Sequence, residues 1–311
     1  MRLTFETAPC DLCGSDRQEK VISGHDQLTG LPGTFQFVRC LDCGLIRQNP
    51  RLVPSALGLY YPESYPSFAL SVGSRANTIR RIAYRYGQLK RVRIVREFRR
   101  TGRLLDVGCG AGDFLFEMSK ISGWQALGVE PNRYACDYAR RVLGVHVICG
   151  TLAVAALASD AFDVVTMWNT LEHVYDPTQN FRQAYRVLRP GGFLILSVPV
   201  MRGLLRQWFG LHWVEWDLPR HMYIFSRQTI EGFLKKTGFD LKAVRSLFNE
   251  YRVFRMSLES WASEHISSEK ACRAIGALLR FLPVQLLGAF ALRAAVPAQR
   301  NSVLVFVCQK G

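Results

Sequence analysis

Short apolar runs separated by longer amphipathic stretches set the rhythm of this chain from residue 101 onward. Leu104-Leu105-Asp106-Val107, Ala126-Leu127-Gly128-Val129, Phe162-Asp163-Val164-Val165-Thr166-Met167-Trp168 and Phe193-Leu194-Ile195-Leu196-Ser197-Val198 are each bounded by glycine, proline or polar residues. Runs of that length and composition read as buried strands. Helical patterns between them imply a mostly parallel sheet covered on both faces, an α/β architecture. A further strand is predicted at 240–247, and Ser302–Cys308 supplies the last one, pairing with it across a long excursion. That excursion, 248–297, reads as a helical insertion before the last strand. Within it Ala277–Val296 is nearly apolar but holds Arg280, Pro283, Gln285 and Arg293, whereas a spanning helix needs about 20 largely uncharged residues. The expectation is a buried helix pair over a cleft; the alternative is a helix lying in a membrane interface.

Ahead of the first strand, Ile79, Ile82, Tyr86, Leu89, Val92, Val95 and Phe98 recur every three or four residues. This predicts an amphipathic helix with one buried stripe. Its other face is basic: 11 Lys/Arg against one acid, Glu97, stand between Arg75 and Arg103, contributing +10 to a formal net charge of +15. Such a face suits plain solvation, a phosphate-bearing substrate or an anionic membrane surface. Residues 48–74 are rich in Pro and Tyr and read as an irregular connector. Its Tyr60, Tyr61 and Tyr65 either pack on a neighbouring domain or reach over the substrate cleft.

The chemistry concentrates after the first strand. Gly108, Gly110 and Gly112 form a G-x-G-x-G turn that opens a helix, so the backbone turns sharply and approaches a ligand closely, with the helix's positive end beyond it. The second strand ends in Glu130, a carboxylate placed to bond a ribose diol. Asn169 and Leu171 follow the strand at 162–168, and Arg189-Pro190-Gly191-Gly192 leads into the next. These segments, in this order, resemble the class I S-adenosylmethionine-dependent methyltransferases over about residues 101–245. The resemblance implies a Rossmann-like sheet and assigns S-adenosylmethionine to Asp106, Gly108, Gly110, Gly112, Glu130, Asn169 and Leu171. Asp106 would orient the turn or accept from the cofactor amine; Asn169 and Leu171 would lie near the methionine moiety.

Nine cysteines are present. Cys10-Asp11-Leu12-Cys13-Gly14 and Cys40-Leu41-Asp42-Cys43-Gly44 are two C-x-x-C-G knuckles, each placing two thiolates on one tight turn. Four sulfurs suit tetrahedral zinc, so residues 1–47 read as a small zinc-binding module. The division expected is therefore this module, a connector with the basic helix over 48–100, and a methyltransferase domain over 101–311.

Acceptor-side residues are expected in 208–223, where three tryptophans and two histidines suggest a lid. Histidine titrates near neutrality and is the usual general base. The candidates are His221 first, then His212 and His173, with Arg220 either holding phosphate or pairing with Asp217. The joined pattern of knuckles, connector, glycine turn and Pro219-Arg220-His221 resembles a methyltransferase branch that modifies sugars and polysaccharides. It implies a small-molecule or lipid-linked acceptor, phosphate-bearing in one version. RNA methylation through a zinc-binding substrate domain and a non-catalytic cofactor-binding scaffold are the rivals. The first ten residues lack a secretory apolar core, so a cytoplasmic location is expected, with peripheral contact at the inner face of the membrane.

Overall fold

The computed structural model describes residues 3–61, 78–247 and 250–311. In chain order it opens with β1 (Phe5–Glu6), β2 (Gln18–Gly24), β3 (Phe35–Cys40), β4 (Ile46–Gln48) and β5 (Arg51–Leu52), then the one-turn helix α1 (Pro54–Leu57). Next come α2 (Thr78–Phe98), β6 (Gly102–Val107), α3 (Asp113–Ser119), β7 (Trp124–Glu130), α4 (Arg133–Arg141), β8 (Val147–Cys149) and β9 (Phe162–Trp168). These are followed by α5 (Pro177–Val187), β10 (Leu188–Pro199), α6 (Leu204–Phe209), β11 (Tyr223–Ile224), α7 (Arg227–Thr237) and β12 (Phe239–Arg245). The helices α8 (Glu250–His265), α9 (Glu269–Leu279) and α10 (Leu282–Ala295) precede β13 (Val303–Lys310).

These elements fall into two units. The α/β unit comprises Tyr61–Val198, Ile230–Leu247 and Val305–Gly311. Its sheet has seven strands in the order β12-β13-β10-β9-β6-β7-β8. The pairs β10–β9, β9–β6, β6–β7 and β7–β8 are parallel, and β12–β13 is antiparallel. Every residue of β9 is buried, as a strand covered on both faces requires. The chain runs outward from β6 through β7 to β8, then returns to β9 on the other side of β6. Loops leaving β6 and β9 therefore diverge, which opens a crevice at the carboxyl ends of these two strands.

The stripe predicted on α2 is only half buried. Val92 and Val95 join the core with Leu104, Phe114, Leu115 and Met118, but Ile82 and Tyr86 are 64% and 61% exposed. The partner helix α3 is a third as long as α2, seven residues against 21, and covers only part of it.

The second unit comprises Met1–Tyr60, Pro199–Thr229 and Phe248–Leu304. The cysteine module thus does not close at residue 47. Its antiparallel sheet has the order β11-β4-β3-β2, so the strand that completes it arrives from residue 223. Phe35, Phe37, Leu45, Tyr60 and Trp213 fill its core. The insertion holds three helices where a buried pair was expected. Leu286, Leu287 and Phe290 on α10 are 63–75% exposed, so that part of the expectation is corrected. Among the described residues no single helix is long and apolar enough to cross a membrane.

Candidate functional site

In the α/β unit, β6 delivers Asp106 and the glycine turn to the crevice. Gly108 adopts φ +71°, and a Cβ there would stand 2.5 Å from the Thr170 side chain. Thr170 Oγ donates to the Val107 carbonyl at 3.1 Å. The loop after β9 is thereby locked against the loop after β6. Gly110, at φ +54°, has no atom within 4 Å of where a Cβ would stand, so the middle of the turn faces open space.

Glu130, at the end of β7, is buried. Its two oxygens accept from the backbone N–H groups of Gly110 and Asn132, both at 2.9 Å. Burial raises its pKa, and these two bonds partly offset the rise. Each carboxylate oxygen has a second lone pair, so the group can hold the turn and still accept from two ribose hydroxyls. Asp106 is buried and is pushed up to about 7 by that burial, against the Thr166 hydroxyl, which donates to it at 2.6 Å. The Thr166 bond ties the end of β6 beneath the turn to β9.

Asn169 sits at φ +53°. Its backbone N–H donates to Ser197 Oγ at 3.0 Å, and that hydroxyl donates back to Asn169 Oδ1 at 3.1 Å. Leu171 is fully buried beside it in the sequence. His173 places Nδ1 3.0 Å from the Tyr61 hydroxyl. Seven predicted cofactor residues and His173 therefore belong to one unit, with most of them at the ends of three adjacent strands. Sequence reasoning missed Thr166, Thr170 and Ser197, which set this geometry. Thr166 and Ser197 had a signal, since each is the one hydroxyl in its strand run. Tyr65 lies outside the described residues.

In the other unit the four knuckle sulfurs all lie within 4.8 Å of one another. Cys10 and Cys43 are 3.4 Å apart and Cys13 and Cys40 3.5 Å. Sulfurs around a tetrahedral zinc at about 2.3 Å stand slightly farther apart, so the donor set and its spacing fit that ion. Gly14 and Gly44 close the two turns by donating to the Cys10 and Cys40 carbonyls. Burial pushes the Cys40 thiol up, but N–H groups of Cys43 and Asp42 outweigh it and hold the thiol at about 7.

His221 is buried, and its Nδ1 lies 2.8 Å from the Glu215 carbonyl. A carbonyl only accepts, so in the neutral ring Nδ1 carries the proton and Nε2, 3.8 Å from Asp217 Oδ2, is the other nitrogen. Gln48 of β4 donates to the His221 carbonyl at 2.5 Å. His212 packs by Ser260 and Glu264 on α8. Arg220 is fully buried and pairs with Asp26 at 2.7 Å and Asp217 at 2.6 Å. That enclosure corrects the phosphate reading of Arg220: its charge is already matched by two carboxylates. The lid reading is corrected as well. Trp213 and Trp216 are core residues, packed edge to face at 5.4 Å, and of the three tryptophans in 208–223 Trp208 alone is exposed. A cavity of about 270 Å³ opens between β2, the 211–218 loop and α8, with His25, Trp216, Leu218, Met256 and Ser260 in its lining.

Residues 79–244 match the methyltransferase domain family. The chain belongs to that family, and its α/β unit is an S-adenosylmethionine-dependent methyltransferase domain. The ubiquinone biosynthesis O-methyltransferase of Ralstonia nicotianae is 31% identical over 157 residues, 47% of this chain and 66% of that protein. The protein of the same name in Pseudomonas putida is 36% identical over 101 residues, 30% of this chain and 43% of its own. The chain thus spans less than two thirds of these curated relatives. Among solved structures, the 4+2 cyclase SpnF superposes with a TM-score of 0.54 at 20% identity, covering 82% of this chain and 95% of that one. An S-adenosylmethionine-dependent methyltransferase from Thermotoga maritima gives 0.50 at 22%, covering 74% and 92%. Both likenesses show the fold.

Proposed function

We propose that the protein transfers a methyl group from S-adenosylmethionine to a small or lipid-linked acceptor related to sugars or polysaccharides. The observation that carries the transfer reading is Glu130, anchored to the turn by Gly110 and still able to accept, beside the open side of that turn. S-adenosylmethionine supplies a methyl group already activated on a sulfonium. The chain's residues then have to hold the donor, align the acceptor and exclude water. Glu130 receives the ribose hydroxyls, the backbone at 108–112 approaches the donor, and Asn169 and Leu171 border its methionine part. His221 takes the acceptor proton; His212 and His173 are the substitutes if it does not.

The lipid-linked acceptor is supported by the names of the two relatives, which concern ubiquinone biosynthesis. The sugar class is supported by the sequence pattern and by the mixed polar and apolar lining of the 270 Å³ cavity. A single structural zinc on Cys10, Cys13, Cys40 and Cys43 holds the two knuckles, because four thiolates leave no open position for chemistry. The setting is cytoplasmic, with peripheral contact at the inner membrane face.

The test is a label-transfer experiment. Protein and methyl-labelled S-adenosylmethionine are incubated with a cell extract, which is then divided into lipid, small polar and RNA fractions. Label in the lipid or small polar fraction is expected, with transfer by His221→Ala lower by about 10²–10⁴. Label in RNA would install the nucleic-acid rival, and binding without any transfer would install the scaffold.

A further inference from the structure

We infer that α9 and α10 form a membrane-docking surface that lies in the headgroup region of an anionic lipid bilayer. It deepens the peripheral setting proposed above and rests on that part of the reading; it stands whatever the methyl acceptor proves to be.

The first observation is exposed apolar surface. Leu278, Phe281, Leu282, Leu286, Leu287 and Phe290 are large apolar side chains, each 41–75% exposed, within 13 consecutive residues. Scattered apolar side chains on a surface are ordinary, but a concentration of this kind marks a partner. On α9 the exposed face follows the helical period through Lys270, Arg273, Ala274, Ala277 and Leu278. On α10 it runs through Leu286, Leu287, Phe290 and Ala294.

The second observation is charge. Residues 270–300 contain Lys270, Arg273, Arg280, Arg293 and Arg300 and no Asp or Glu; Glu269 opens α9, and Arg280 pairs with Glu259 of α8 at 2.9 Å. Apolar side chains interleaved with an excess of cations complement an anionic lipid surface. A second copy of this chain fits less well. A two-fold contact sets the same patch against itself, and that would oppose like charges.

The third observation is length. α9 has 11 residues and α10 has 14, about 16 and 21 Å at 1.5 Å per residue. Neither spans a hydrocarbon core of about 30 Å. The two are bent by 72° at the break between them. Together they are long and apolar enough for a broken span, but Arg280 stands at the break and Arg293 within α10, charges that a hydrocarbon core disfavours, so the pair is read as lying along the interface.

The experiment is co-sedimentation of the full chain with vesicles. One set is phosphatidylcholine alone, the other equal parts phosphatidylcholine and phosphatidylglycerol. The expected result is sedimentation with the anionic vesicles, at least about tenfold weaker on the neutral ones. The variant Leu286→Gln/Leu287→Gln/Phe290→Gln should lose at least about tenfold of this binding and keep S-adenosylmethionine affinity unchanged. Phe290→Gln alone, at the most exposed position, serves if the triple variant fails to fold, with a smaller loss in the same direction. Equal sedimentation of wild type and variant overturns the proposal, as does failure to bind any vesicle. A concentration-dependent dimer abolished by the variant also overturns it and assigns the face to a second copy. Cofactor affinity, measured in parallel, separates failure of this surface from failure of the methyltransferase reading.

Discussion

Gly110 and Gly112 share a left-handed backbone, at φ +54° and +85°, but a methyl group added to each meets different surroundings. At Gly110 it would enter open space; at Gly112 it would stand 2.8 Å from Val145 and 2.9 Å from Ala139. Both substitutions carry a backbone cost of about 1–2 kcal/mol. Gly112→Ala adds a core clash of about 1–3 kcal/mol. The expected outcome is that Gly110→Ala folds with a modest loss of thermal stability and weakens S-adenosylmethionine binding, whereas Gly112→Ala loses stability first. Differential scanning calorimetry with and without the donor separates the two; equal losses of stability would mean that the turn has no open face. The glycines and Glu130 were legible because spacing alone declares a turn and a strand end. Thr170 was not. Its role is to fill the place beside Gly108, and nothing along the sequence joins residue 170 to residue 108.

Among the elements, the two knuckles were the most legible, since C-x-x-C-G specifies its own turn. The sheet that carries them was not, because β11 comes from residues 223–224 and pairs with β4. The predicted α2 stripe ran too long for the same kind of reason: periodicity reports a face but not the length of what will cover it. Elemental analysis of reduced protein should find one zinc per chain, falling to none in Cys10→Ser/Cys40→Ser; absence of zinc from the wild type contradicts this. Arg220 shows what burial does to a side chain that reads as a ligand. Burial pushes Asp26 up, but bonds from Arg220 and Thr29 outweigh it and hold its pKa below the usual value. Arg220→Ala removes the guanidinium that both carboxylates pair with, one of them wholly buried, at a cost of about 3–5 kcal/mol. Chemical denaturation measures this directly, and a loss below about 1 kcal/mol would put the pair among surface ion pairs.

At the scale of the whole molecule, the α/β class was legible and the interleaving of two units was not. The chain leaves the α/β unit after Val198, returns at Ile230, leaves again after Leu247 and returns at Val305. Hydrophobic periodicity finds each strand but does not say which unit a connection will join. Fold alone also leaves chemistry open, since a 4+2 cyclase superposes on this chain with a higher TM-score than the Thermotoga maritima methyltransferase. The functional reading therefore depends on particular side chains at the ends of β6, β7 and β9.

The central claim is that these strand ends bind S-adenosylmethionine and that Glu130 holds its ribose. Calorimetric titration of the donor into wild type and Glu130→Ala tests it most directly. Two charge-assisted hydrogen bonds are worth about 2–4 kcal/mol together, so affinity should fall at least about tenfold while the protein remains folded. Unchanged affinity in a folded Glu130→Ala protein, or no binding by the wild type, would contradict the account.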